Sequence, residues 1–293
     1  GYFNQEGVVV ASEYERFSLR INSSFRPHEK LNVGVNIAPT YSRNTNSGLD
    51  GVGSVFNETL QTSPLAPLRN PDGSLTLTAS SAGMFPTPNY VRTLEDKVVD
   101  NTNTRILANL FAEYDIIDGL SFRTSGNIDK GDNRDFNFNG TTTGTRGVGL
   151  YAIPFASLNQ GNYLSWVNEN ILNYETIVVD DHTIDALVGF TAQKFRQDNS
   201  NINASNYPDD KVQTIGAAGT IQASSGIQEW SLVSYLARVN YNYKGRYLFS
   251  ASIRRDGSSR FGKDNRWGNF PSLSLGWIAS DEGFMSGIEP ISF

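Results

Sequence analysis

The stretch RFSLRINSSFR, Arg16 to Arg26, places Phe17, Leu19, Ile21 and Phe25 at one parity and Arg16, Ser18, Arg20, Asn22, Ser24 and Arg26 at the other. Successive side chains of a strand point to opposite faces, so this stretch reads as a strand with one apolar and one polar face. The next run repeats the pattern. Leu31, Val33, Val35, Ile37 and Tyr41 share one face, Asn32, Gly34, Asn36 and Thr40 share the other, and a tight "PHEK" turn joins the two runs. Further alternating runs fall near 104–116, 119–129, 167–179, 183–195, 231–243, 246–255 and 271–279. Their apolar parity carries Ile106, Leu110, Tyr114, Leu120, Phe122, Ile128, Ile184, Val188, Phe190, Tyr235, Val239, Tyr241, Tyr247, Phe249, Ile253, Leu273, Leu275 and Trp277. Arg123, Asn127, Asp185, Arg238, Asn240, Ser250 and Arg254 lie opposite.

The connections between these runs alternate in length. Short ones occur at RPHEK, DIIDG, VDDH and YKGR, and long ones at about 43–103, 130–165, 196–230 and 255–270. Antiparallel neighbours joined this way collect short turns at one end and long loops at the other. A β-sandwich also alternates apolar and polar residues, but compact soluble domains rarely carry several structureless connections longer than about 15 residues. Short turns opposite long loops mark outer-membrane barrels instead. Aromatic residues gather near the short-turn ends, at Phe25, Tyr114, Tyr243, Tyr247 and Trp277, where an interfacial girdle would sit. The expected fold is therefore all-β, with about nine or ten antiparallel strands forming part of a large transmembrane barrel. Its short turns face the periplasm and its long loops the cell exterior.

Composition agrees. The 293 residues are 12% aromatic and 18% charged, about a tenth are Asn, and none is Cys. Disulfide scaffolds and thiolate metal sites are thereby excluded. A net charge of −6 argues against a nucleic-acid partner held by bulk electrostatics. No run approaches 18 apolar residues, so no transmembrane helix is expected.

Two short motifs come close to known chemistry. GSSRFGKD, Gly257 to Asp264, follows the phosphate-loop pattern up to its last position, where Asp264 replaces the Ser or Thr that ligates magnesium. The following NRWGNFP, with Gly268 and Pro271, cannot supply the helix whose N-terminus would hold the anion. DFNFNG, Asp135 to Gly140, begins a calcium-loop pattern, but Arg146 stands where a bidentate Glu should close it. His28 and His182 fall in turns without a second nitrogen ligand or nucleophile nearby, and Asp180-Asp181, Asp209-Asp210 and Asp281-Glu282 read as solvated turn charge. No catalytic residue, cofactor or metal is expected. Phe85, Tyr90, Tyr151, Tyr163 and Tyr207 are loop aromatics that could stack on a sugar or peptide.

The run SLVSYLARVNYNYKGRYLFSASIRRDGSSRFGKDNRWGNFPSLSLGWIASDEGFM, Ser231 to Met285, closely resembles the barrel signature of SusC/RagA-type TonB-linked outer-membrane transporters. GYFNQEGVV at Gly1, ERFSLRIN at Glu15, NENILNY at Asn168 and ALVGFTAQ at Ala186 resemble earlier barrel segments of that family, in the same order. The most specific part is the loop formed by Arg255, Asp256, Gly257, Ser258, Ser259, Arg260, Phe261, Gly262, Asn265, Arg266 and Trp267. The resemblance implies a barrel of about 22 strands occluded by an N-terminal plug. It implies import of oligosaccharides or peptides across the outer membrane of a Gram-negative bacterium, driven by TonB. It also implies a SusD-like surface lipoprotein closing over the barrel mouth, and lipid around the wall. On this reading residues 1–293 are one partial barrel domain, without the plug, the TonB-binding segment or the later strands, and EPISF, ending in Phe293, is a truncation. An incomplete barrel leaves two unpaired edges, so the fragment alone is not expected to transport. Two other functions use the same strands: a soluble or surface β-rich carbohydrate-binding or adhesin module, and a TonB-dependent siderophore or cobalamin receptor.

Overall fold

The computed structural model describes residues 1–9, 11–45, 59–81, 83, 86–143, 153–179 and 181–285. They build an antiparallel sheet of 11 strands. The strands are β1 (Tyr2–Glu6), β2 (Glu13–Ser18), β3 (Ile21–His28), β4 (Leu31–Asn44), β7 (Val98–Ile117), β8 (Leu120–Asn139), β9 (Phe155–Val179), β10 (His182–Ser205), β11 (Thr220–Tyr243), β12 (Tyr247–Ser258) and β13 (Trp267–Trp277). Neighbours in the chain are neighbours in the sheet, except that β2 and β3 both pair with β4. A two-stranded ribbon, β5 (Thr78–Ala79) and β6 (Thr87–Pro88), and a helix, α1 (Tyr90–Asp96), lie in the connection before β7.

The expected strand across Arg16 to Arg26 is in fact two strands, broken at Leu19 and Arg20. Pro39 of β4 is the cause. Leu19 donates its N–H to the Pro39 carbonyl at 3.1 Å, but proline has no N–H to return to the Leu19 carbonyl, so the ladder loses a rung there. Apolar parity survives the break, because the register pairs Phe17 with Tyr41 and Ile21 with Ile37.

The short turns stand where sequence placed them. Arg246 donates its N–H to the Tyr243 carbonyl at 3.0 Å, with Lys244 at φ 56° and Gly245 at φ 69°. Positive φ at both central residues gives a turn whose twist matches the strands it joins. Gly119 has φ 79° and lies against the Glu175 carbonyl where a Cβ would collide, so that turn requires glycine.

The other ends of the strands differ from expectation. β8, β9, β10 and β11 continue to Asn139, from Phe155, to Ser205 and from Thr220, through stretches expected to be loop. These strands of 20 to 25 residues extend for about 66–80 Å, against the 9–11 residues that cross a bilayer. Much of the long-loop end is therefore sheet rising past any membrane. Its side chains are mostly polar, with scattered apolar residues and a small buried cluster, which weakens the two-residue hydrophobic period while the backbone ladder continues.

One parity of the sheet is apolar and exposed, with Leu110, Ile128, Val188, Tyr235, Ile253, Leu273 and Leu275 between 46% and 79% accessible. Aromatic rows cross this face at two heights. Tyr243 stacks on Tyr247 at 6.0 Å, and Tyr247 is in register with Trp277 near the short turns. Further along, Phe190, Tyr235 and Trp267 adjoin at 5.4 and 6.1 Å. Trp267 and Trp277 begin and end the 11-residue β13, a path of about 33 Å, or about 25 Å when tilted as barrel strands are. That matches the apolar band of a transmembrane barrel. Ion pairs on this face, Lys194 with Glu229, Arg196 with Asp198 and Arg43 with Asp100, sit at or beyond the second row.

The buried core is small and lies at the long-loop end. Phe138, Ala156, Ala204 and Tyr207 pack together there, with Val98, Phe136 and Ile215 against them. A sheet with one face for lipid does not need a large core of its own.

Candidate functional site

The polar face is cross-linked along a single register. Asn36 donates to Asn109 at 3.0 Å, Asn109 to Asn127 at 2.7 Å, and Asn127 to the Glu169 carboxylate at 3.3 Å, which also accepts from Ser125 at 3.2 Å. This chain of side-chain amides spans β4, β7, β8 and β9. Cross-strand pairs of this kind fix register as well as adding stability. Arg123 pairs with Glu113 at 3.1 Å while stacking over Phe111 at 4.3 Å.

Towards the long-loop end the same face carries a row of rings. Tyr163 of β9 lies 6.2 Å from Phe195 of β10, with 24° between planes, and Phe195 lies 5.6 Å from Trp230 of β11, at 21°. Gly131 of β8 makes the row possible, because an added Cβ would fall within the Tyr163 ring. The Tyr163 hydroxyl donates to Asp129 at 3.0 Å, and Asp129 takes both guanidinium hydrogen bonds of Arg105 at 2.9 Å. At the other end the Arg260 guanidinium sits 4.7 Å over Trp230. Three half-buried rings thus form a continuous aromatic strip between a closed ion pair and a cation.

The family-signature residues divide between strand and loop. Arg255, Asp256, Gly257 and Ser258 end β12, Trp267 opens β13, and Ser259, Arg260, Phe261, Gly262, Asn265 and Arg266 connect them, with a 3-10 turn at Lys263–Asn265. β13 follows where a phosphate loop would need a helix. Among the charges of this region, Arg254 pairs with Asp256 at 2.7 Å. Arg255 instead lies 4.9 Å over the Trp267 ring, and Arg266 donates to the Phe261 carbonyl at 3.4 Å. Gly257 is not a tight-turn glycine. It gives the Trp267 indole room on the apolar face.

The other expected site residues scatter. Tyr163 belongs to strand β9, not to a loop, and lies in the aromatic strip. Tyr207 is 7% exposed and packs edge-on against Phe138 at 5.2 Å, within the small core. Burial pushes its phenol above the ordinary value. Tyr90 starts α1, in the connection before β7. Phe85 and Tyr151 lie outside the described residues, as do Arg146 and the EPISF segment with Phe293. Asp135, Asn137 and Asn139 are strung along one face of β8 at about 6.6 Å spacing, where a calcium loop would wrap them about a centre. His182 is tied to the Tyr241 hydroxyl at 2.7 Å. Phe195 and Trp230 were not singled out by sequence, because 32 and 35 residues separate the three rings and only the strand register brings them together.

Comparison with known proteins gives the geometry a context. No family model matches the chain. It is 30% identical over 294 residues to TonB-dependent receptor P39 of Formosa agariphila, covering 98% of this chain and 27% of that protein. It is 27% identical over 318 residues to TonB-dependent receptor SusC of Bacteroides thetaiotaomicron, covering 100% of this chain and 30% of the relative. The structure of the RagAB peptide transporter superimposes with a TM-score of 0.76 at 21% identity, over 93% of this chain and 31% of that one. The chain therefore spans less than a third of the length of these relatives. Fold and sequence together class it as barrel wall of the TonB-dependent receptor kind. Within that class it resembles the SusC/RagA type.

Proposed function

We propose that this chain forms part of the wall of an outer-membrane importer, energised through TonB, that takes up oligosaccharides or peptides with a SusD-like lipoprotein over its mouth. The observation that carries the reading is the two-faced sheet. Its apolar parity is bounded by aromatic rows about 25 Å apart, and its polar parity is cross-linked and continues well beyond the band. Lipid accepts the first face, and a water-filled lumen or a plug accepts the second. The likeness to receptors named for TonB, to SusC and to a peptide transporter supports import as the activity. The chain's role is structural and recognitional: it walls the path and presents side chains to cargo, with no bond made or broken.

Gene deletion tests the reading. Cells lacking the full-length protein should fail to grow on one oligosaccharide or peptide source at limiting concentration, and cells with TonB inactivated should show the same defect. Normal growth of the deletion strain on every such source, or recovery of the full-length protein as a detergent-free soluble species, would overturn it.

A further inference from the structure

We propose that Tyr235, Arg255 and Asn269 form a binding site for the phosphate of a lipid headgroup, at the outer end of the membrane band. The proposal goes beyond import and rests only on the reading that the apolar face meets lipid.

The three side chains lie in one register row across β11, β12 and β13. Arg255 pairs with Tyr235 on one side and with Asn269 on the other, and direct partners project from the same face about 5 Å apart. All three are exposed, and none makes a side-chain hydrogen bond among the described residues. A guanidinium, a phenol and an amide thus stand side by side with their donors unspent, on the side that faces lipid.

Charge pairing singles out Arg255. Five other cations stand on this parity of the strands among the described residues, and each has a carboxylate: Lys130 with Asp132, Arg43 and Arg134 with Asp100, Lys194 with Glu229, and Arg196 with Asp198. Arg255 has the Trp267 ring instead, 4.9 Å from its guanidinium carbon. An arginine facing lipid without a partner is costly deep in the bilayer and tolerated near its surface. Trp267 opens β13 in the outer aromatic row, so reaching for it carries the guanidinium to that surface while the stem stays on the apolar face. The anion at that height of a bilayer is the lipid phosphate, and a planar fork of N–H groups matches its oxygens two at a time.

The surroundings fit the same ligand. The adjoining connection, 259–266, carries Arg260, Lys263 and Arg266 against Asp264 alone, which adds positive potential beside the row. Towards the short turns, exposed Ile253, Leu273 and Leu275 continue the same face and give the acyl chains an apolar bed.

Native mass spectrometry of the full-length protein in detergent tests the site. The probes are dioleoyl phosphatidic acid, diolein as the same chains without phosphate, and sodium phosphate as the anion without chains. Phosphatidic acid should bind at concentrations where diolein does not. Arg255→Gln should weaken the tightest phosphatidic acid site about tenfold, and Asn269→Leu and Tyr235→Phe about threefold each. Arg196→Gln, on the same face but already paired, should leave it unchanged. Heat-modifiable gel mobility reports whether each variant folds; should Arg255→Gln not fold, Tyr235→Phe, which removes one hydroxyl, carries the test. Unchanged binding in these variants, an equal loss in Arg196→Gln, or equal binding of diolein would overturn the site. Displacement of phosphatidic acid by sodium phosphate at a similar concentration would overturn a lipid as its ligand. Growth of the deletion strain is unaffected by any of these outcomes, so the importer reading stands or falls separately.

Discussion

Gly257 of β12 lies directly across from Trp267 of β13, and the indole fills the space a side chain at 257 would need, approaching an added Cβ to 2.8 Å. Arg255 and Tyr235 pack against the same indole, so the ring cannot move without disturbing the outer aromatic row. Gly257→Ala should therefore destabilise the barrel by about 1–3 kcal/mol, the usual cost of overpacking. Trp267→Ala placed in that background should recover part of the loss. Thermal unfolding of the full-length protein, followed by its gel mobility with and without heating, measures both.

Glu169 ends the amide chain and accepts from two donors, Asn127 and Ser125. Glu169→Ala leaves both without that acceptor and should cost about 1–3 kcal/mol. Adding Asn127→Ala should cost much less than it does alone, because the two side chains act as one unit. Additive losses in the same unfolding assay would show that the chain of amides is not coupled.

Membrane orientation follows from the two ends of β12. An epitope inserted in the 259–266 connection should be reached by antibody on intact cells, and one inserted at Lys244 and Gly245 should require permeabilised cells. The opposite pattern would invert the topology.

The Tyr207 hydroxyl is buried without a hydrogen-bond partner among the described residues. Tyr207→Phe should stabilise the 206–219 connection by about 1 kcal/mol, seen as slower proteolysis there. Burial also raises the phenol's pKa in the folded state. As pH rises past the ordinary phenol value, the unfolded loop ionises while the folded one resists, so protection should decline, and the Phe variant should lose that part of the decline.

Sequence located the elements best where one face must be dry. From Leu31 to Tyr41, or from Tyr247 to Ile253, one parity carries no polar aliphatic or charged side chain, because lipid tolerates nothing else there. Short turns were equally legible, since positive φ at Gly119 and Gly245 leaves a compositional mark. Beyond the band that information vanishes. DKGDNRDFNFN and SNINAS are mostly polar strands, of which Phe136, Phe138 and Ala204 join the small core, and backbone pairing inherited from the residues below keeps them extended. Sequence gave no warning at Leu19, because a proline one strand away breaks the rung. Tyr163 could be noticed as an aromatic residue, but its neighbours Phe195 and Trp230 depend on register, which the chain fixes only by folding.

Strands that continue unbroken for 20 to 25 residues are stiff along their length. Such a wall cannot pinch shut, since bending it would tear many rungs at once. The sheet is therefore a fixed frame for whatever packs against its polar face.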